Sequence, residues 1–193
     1  YLSDLNLVDF YDANSTKIGN TFYFWDSNSD PVTTQTGNTT TNVGYATCNP
    51  NTQFWAPAPN VVVNPTGNVA KVAQGLFVQA TNPADTSLTF TNAMRTSEVG
   101  SFFNKNNSSL EGKYWVKLST SYNTNNTFVV AYLNGASNAF DAYDSKALET
   151  GSDAFYTFAG TEKLIIQGKG ALNALDVVPV GAKYFETGNL TIS

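Results

Sequence analysis

Past Asn14 the apolar residues of this chain come in runs of strand length, each stopped within a few positions by Asn, Gly, Pro or Asp. A helix of ordinary length needs a 3.6-residue repeat held over ten or more positions, and nothing after Asn14 supplies one. The chain must therefore build its core from strands. Thr21–Trp25 is an aromatic run bounded by Gly19-Asn20 and Asp26-Ser27-Asn28. Gly75–Ala80 and Ser87–Phe90, split by Asn82-Pro83-Ala84-Asp85, read as a hairpin. Tyr114–Ser119 alternates, with Tyr114, Val116 and Leu118 on one face and Trp115, Lys117 and Ser119 on the other. The turn Asn123–Asn126 leads it into Thr127–Leu133. Phe155–Phe158, Lys163–Gln167, Val177–Val180 and Asn189–Ser193 complete the set.

That spacing predicts an all-β fold, an antiparallel β-sandwich or jelly roll. Residues 1–193 form a single module, without internal repeat or linker. Ser3-Asp4 is expected to cap one short helix, over about residues 3–12. Residues 26–68 read as long irregular loop, with Phe54-Trp55 isolated inside it and Val61–Val63 as an apolar island.

Charged residues make up 13% of the chain, half the ~25% of an ordinary domain. Asn and Thr keep it soluble through neutral hydrogen bonding instead, a balance typical of exported β-proteins. The net charge is −5, and Lys and Arg are scattered singly. Counterion release needs clustered cations, so nucleic acid and anionic membrane surfaces are excluded as partners. No run approaches the ~18 apolar residues of a membrane span.

The chain has no histidine and one cysteine, Cys48. Ser-His-Asp and Cys-His nucleophiles, histidine bases and His- or Cys-rich metal sites are all ruled out. No phosphate-cradling loop and no GxSxG elbow is present. Carboxylate-based glycosidases and lyases are the enzyme class that survives. Most of the Asp and Glu residues sit in turns, where Asp serves local hydrogen bonding, so the chain is read as non-catalytic.

Two sets of side chains carry candidate binding chemistry. Trp55, Phe54, Tyr45 and Trp25 are the aromatic candidates for stacking on a glycan; Trp55 sits among Pro57, Pro59 and the amides Asn49, Asn51 and Gln53. The competing reading makes Trp55 a core plug and Trp25 a core residue. Asp141 and Asp144, with backbone carbonyls, are the candidate calcium ligands, since Ca²⁺ takes 6–8 oxygens.

Six stretches carry a family resemblance. They are Gly19–Trp25, Lys71–Val78, Phe90–Arg95, Phe128–Asp144 with its F-D-A-Y-D core, Lys163–Gly168 and Val178–Gly181. In this order they resemble a β-rich domain of secreted and surface proteins of Bacteroidota that precedes a type IX secretion sorting domain. The resemblance implies export to the cell surface and an extracellular location, and it supplies no catalytic residues. Relatives carry an additional N-terminal strand ending in an N-P-Y-P-S turn, whereas this sequence opens Tyr1-Leu2-Ser3. The expectation is a structural or adhesive surface module, with the absent strand donated by a neighbouring copy in a filament. Its partners would be copies of itself or other surface proteins. The alternative is a carbohydrate-binding module attached to a secreted enzyme or adhesin.

Overall fold

The computed structural model describes residues 3–25, 32–33, 39–40, 44–59, 67–84, 87–98, 112–122, 124–148, 153–184 and 187–193, with 32–33 and 39–40 as backbone. A first strand β1 (Leu5–Asn6) leads into helix α1 (Leu7–Asn14) and then β2 (Ile18–Trp25). The short β3 (Val32–Thr33) and β4 (Thr39–Thr40) pair with each other. Next come β5 (Tyr45–Asn49), β6 (Phe54–Ala56), β7 (Val69–Ala70) and β8 (Phe77–Ala80). After a 3₁₀ turn at Asn92–Met94 follow β9 (Lys113–Thr120), β10 (Asn125–Tyr132), β11 (Ser145–Lys146) and β12 (Ala154–Ala159). The chain finishes with β13 (Glu162–Lys169), β14 (Val180–Lys183) and β15 (Leu190–Ile192).

Two main sheets result, as a sandwich requires. The smaller runs β6-β5-β2-β8; the larger runs β14-β12-β13-β10-β9-β15, with β11 also on β13. Among the described residues all pairings are antiparallel except β10 on β13, which is parallel. The continuous apolar run Phe128-Val129-Val130-Ala131 explains why β10 can sit there: all four residues are buried, so both faces of the strand are covered. Between β12 and β13 the chain reverses through Gly160, whose φ of +60° suits a two-residue hairpin loop.

The helix is where the sequence placed it, but its cap is not. Asn6 is the N-cap, its side chain accepting from Val8 N at 2.9 Å and Asp9 N at 3.1 Å. Asp4 is already engaged, by Lys71 Nζ at 2.6 Å and Val72 N at 3.0 Å. Leu7 and Phe10 pack with Phe22, Phe24, Cys48 and Trp55 in the first core cluster, between α1 and the smaller sheet. The other face of that sheet meets the larger one, where Phe54 and Ala56 pack on Val129, Ala131 and Ile166.

A third cluster, Leu118, Phe128, Val130 and Phe155, lies on the far face of the larger sheet. No second sheet covers that face among the described residues, yet Phe128 and Val130 are 0% exposed. The sheet achieves this by curling on itself, so that β12 and Val178 close over β10. This face is therefore concave.

Two local expectations need correcting. Phe54-Trp55 is not a loop island but the body of β6, paired with β5. The 75–90 hairpin does not form: β8 pairs with β2 instead, and residues 87–91 take no strand partner. Thr89 is held by the Asn14 side chain, which accepts from its N–H at 2.7 Å and donates to its C=O at 2.9 Å. Val61–Val63 lies outside the described residues.

Candidate binding surface and the Asp141–Asp144 turn

β2 is aromatic on both faces, and the pleat sends the two sets to different fates. Phe22 and Phe24 turn inward and are fully buried. Tyr23 and Trp25 turn to the opposite face, the one that meets the larger sheet. Tyr23 lies low, its hydroxyl donating to Lys146 O at 3.1 Å, and burial pushes its pKa up to about 12. Trp25, at the strand end, is 53% exposed.

Strand pairing then assembles a row of rings. Tyr45 of β5 stands directly opposite Trp25, and Phe77 of β8 directly opposite Tyr23. Trp25 and Tyr45 meet edge-to-face with centroids 5.3 Å apart, and Tyr45 meets Phe77 the same way at 5.6 Å. Phe77 is 60% exposed and Tyr45 half-buried between its neighbours. Gln79, two residues along β8 on the same face, is exposed and adds an amide beside the rings.

Cross-strand aromatic pairs stabilise a sheet by about 0.2–1 kcal/mol each. Pinning strands does not require the rings to be half in water, however. Burying a side chain of this size is worth about 1.5–3 kcal/mol, so a row left exposed forgoes a real gain. Single exposed apolar residues need no explanation, whereas three rings in contact make this the candidate binding surface.

Only part of the sequence-based aromatic set belongs to this surface. Trp55 is core, at 4% exposure: its Nε1–H donates to Gly67 O at 2.8 Å and its ring lies 5.2 Å from that of Phe24. Phe54 is buried too, with Lys113 Nζ 5.2 Å from its ring centroid. Neither has a free face for a sugar. Trp25, expected in the core, is the exposed one. Phe77 was missed because its strand was assigned to a hairpin with 87–90, which hides the neighbour that places it beside Tyr45.

Asp141 and Asp144 are brought together, but their oxygens are spent on backbone donors. Asp144 is fully buried; its Oδ1 accepts from Gly168 N and its Oδ2 from Asp141 N, both at 2.9 Å. Asp141 accepts from Ser137 N at 2.7 Å and Tyr143 N at 2.8 Å. The nearby carbonyls are engaged as well. Ala142 O accepts from the amides of Asn20 and Asn51, each at 2.8 Å, and Asp144 O from Asn20 at 2.8 Å and Asn49 at 3.1 Å. Among the described residues no group of three His, Cys, Asp or Glu side chains is placed to hold a metal. In this arrangement the two residues fold the turn and dock it on β13, while the asparagines tie it to the smaller sheet.

Burial raises the Asp144 pKa to about 6; the N–H donors of Asp141 and Gly168 oppose the shift, and the Asp141 charge adds to it. A raised proton affinity suits a general acid, but a fully buried carboxyl cannot reach a substrate. Its consequence is a pH effect on stability. The native state holds this proton more tightly than the unfolded chain, so Asp144 lowers stability as pH rises from about 4 through 6. Asp4 and Asp176 have lowered pKa values, so the stability they add is lost on acidification below about 4. Thermal melts are expected to show Tm rising from pH 7 towards pH 4.5, and the Asp144→Asn variant should flatten that slope. An unchanged slope would remove Asp144 as its source.

Cys48 is buried, and burial pushes its thiol pKa well up, which keeps it unreactive. No helix among the described residues is long and apolar enough to cross a membrane. A family model described as Domain of unknown function (DUF8693) matches residues 1–193. No curated protein and no solved structure matches the chain.

Proposed function

We propose that this chain, which belongs to the DUF8693 family, is a non-catalytic adhesive module of an exported bacterial surface protein and holds carbohydrate against the Trp25–Tyr45–Phe77 row. The observation that carries this reading is the exposure of two rings of the row, Trp25 and Phe77, at 53% and 60%, on the part of this sheet face that the larger sheet leaves uncovered. The C–H faces of a sugar ring pack on such surfaces, while amides such as that of Gln79 take its hydroxyls. The surface setting rests on the resemblance to exported β-domains and on a chain that is 13% charged. The non-catalytic reading is supported by the absence of histidine and by the sealing of Asp144 from solvent.

A glycan array probed with the wild type and with Trp25→Ala tests the proposal. The variant is expected to lose at least tenfold in binding to the glycans retained by the wild type. As a surface change it should alter stability by no more than about 0.5–1 kcal/mol. If Trp25→Ala and Phe77→Ala both bind as the wild type does, the row is not the site.

A further inference from the structure

The two sheets are tied together in a consistent order along β2. Asn20 donates to Asp144 O at 2.8 Å, and Asp144 in turn accepts from Gly168 N. Further along, Tyr23 donates to Lys146 O at 3.1 Å, and Lys146 stands opposite Leu164. Ala147 N then donates to Lys163 O. Moving up β2 therefore means moving back along β13, from Gly168 towards Glu162. Trp25, the next residue after Tyr23 on that face, lies at the Glu162 end. The larger sheet thus borders the Trp25 end of the aromatic row with Lys146 and Glu162.

Those two side chains form a fixed polar pair in water. Lys146 Nζ lies 2.8 Å from Glu162 Oε2 and 5.1 Å from the centroid of the Phe140 ring. The Lys146 and Glu162 side chains are 46% and 39% exposed, and Phe140 is 41% exposed. So exposed an ion pair adds little to the stability of a fold. An ammonium held between a carboxylate and a ring has already lost much of its freedom, so a ligand would have less ordering left to impose. Beyond their mutual contact the ammonium keeps further N–H donors and the carboxylate further lone pairs.

A donor and an acceptor side by side suit two neighbouring sugar hydroxyls, one accepting from Lys146 and the next donating to Glu162. They suit an anionic sugar poorly. The Lys146 charge is already answered, and Glu162 repels a carboxylate brought to the same wall. A sugar with an acetamido group in place of one hydroxyl does not present the matching pair.

Granting the row as the glycan platform, on which this rests, we infer that the Lys146–Glu162 pair determines specificity there. It selects neutral glycans that carry two adjacent free hydroxyls, against acidic glycans and against those whose hydroxyl pair is interrupted by an acetamido group. Calorimetric titration tests this with cellohexaose and mannohexaose as neutral probes, hexagalacturonate as the acidic probe and chitohexaose as the acetamido probe. The wild type is expected to bind a neutral probe about tenfold or more tightly than hexagalacturonate and chitohexaose. Glu162→Gln and Lys146→Met should each weaken that binding about tenfold, the loss of a hydrogen bond to a charged group. Their Tm should stay close to that of the wild type, since both side chains lie at the surface. Glu162→Gln should also gain hexagalacturonate binding that salt weakens, because Lys146 then faces the ligand unpaired; Lys146→Met should not.

Pair variants that bind like the wild type, where Trp25→Ala has lost the same probe, would overturn the inference and leave the row in place as the platform. A wild-type preference for hexagalacturonate or chitohexaose would overturn it in the same way. A wild type that binds none of these probes, or a Trp25→Ala variant that binds them unchanged, would overturn the row as platform and this specificity with it.

Discussion

Gly168→Ala is expected to lower stability by about 3–5 kcal/mol, through overpacking and lost hydrogen bonds to a buried charge. An added Cβ would stand 2.5 Å from Tyr143 Cβ and 3.1 Å from Tyr143 O, so backbone as well as side chain must yield. The turn cannot retreat freely. Gly168 N donates to Asp144, and the Asn20, Asn49 and Asn51 amides hold the opposite side of the turn against the smaller sheet. Displacing it strains both attachments, and Asp144 is left buried with fewer donors. At about 2–4 °C per kcal/mol for a chain of this size, Tm should fall by roughly 6–20 °C. A Gly168→Ala protein melting within a degree or two of the wild type would show that the turn is not a fixed part of the fold.

Trp55→Ala is expected to cost about 3–5 kcal/mol, the usual range for truncating a buried aromatic residue. The change removes the ring packed against Phe24 and leaves Gly67 O without the indole donor. The same truncation at Trp25 should cost a small fraction of that. Urea unfolding of the two variants measures the contrast, with the loss appearing as a shift in midpoint at similar slope. Equal losses would mean that the two rings are equally buried, contrary to their 4% and 53% exposures.

What the sequence revealed depended on whether a strand has one buried face or two. β9 and β10 were legible because Tyr114–Ser119 alternates and a short turn joins it to its partner. β6 was not. Phe54, Trp55 and Ala56 are all buried, so no alternation marks the strand, and it is too short to stand out among prolines and asparagines. β8 was recognised as a strand but given the wrong neighbour, because its pairing with β2 spans more than fifty residues and leaves no local trace. The aromatic surface suffered from the same ambiguity. Phe22, Tyr23, Phe24 and Trp25 are all large and aromatic, so composition could not say which pair faces the helix. Asp141 and Asp144 were picked out as a unit, and they are one; their distant backbone partner Gly168 could not be read from the sequence.

The chain has three tryptophans, and their indole N–H groups give the central claim a direct readout. Trp55 donates to Gly67 O and Trp115 to Trp55 O, both inside the fold, whereas Trp25 stands in the exposed row. In ¹H–¹⁵N NMR spectra, titration with an oligosaccharide selected from the array is expected to shift the Trp25 indole resonance in a saturable way. The Trp55 and Trp115 resonances should stay in place. Saturable shifts confined to Trp55 or Trp115, or binding that leaves the Trp25 resonance unmoved, would contradict the proposal that the Trp25–Tyr45–Phe77 row is where this module holds its ligand.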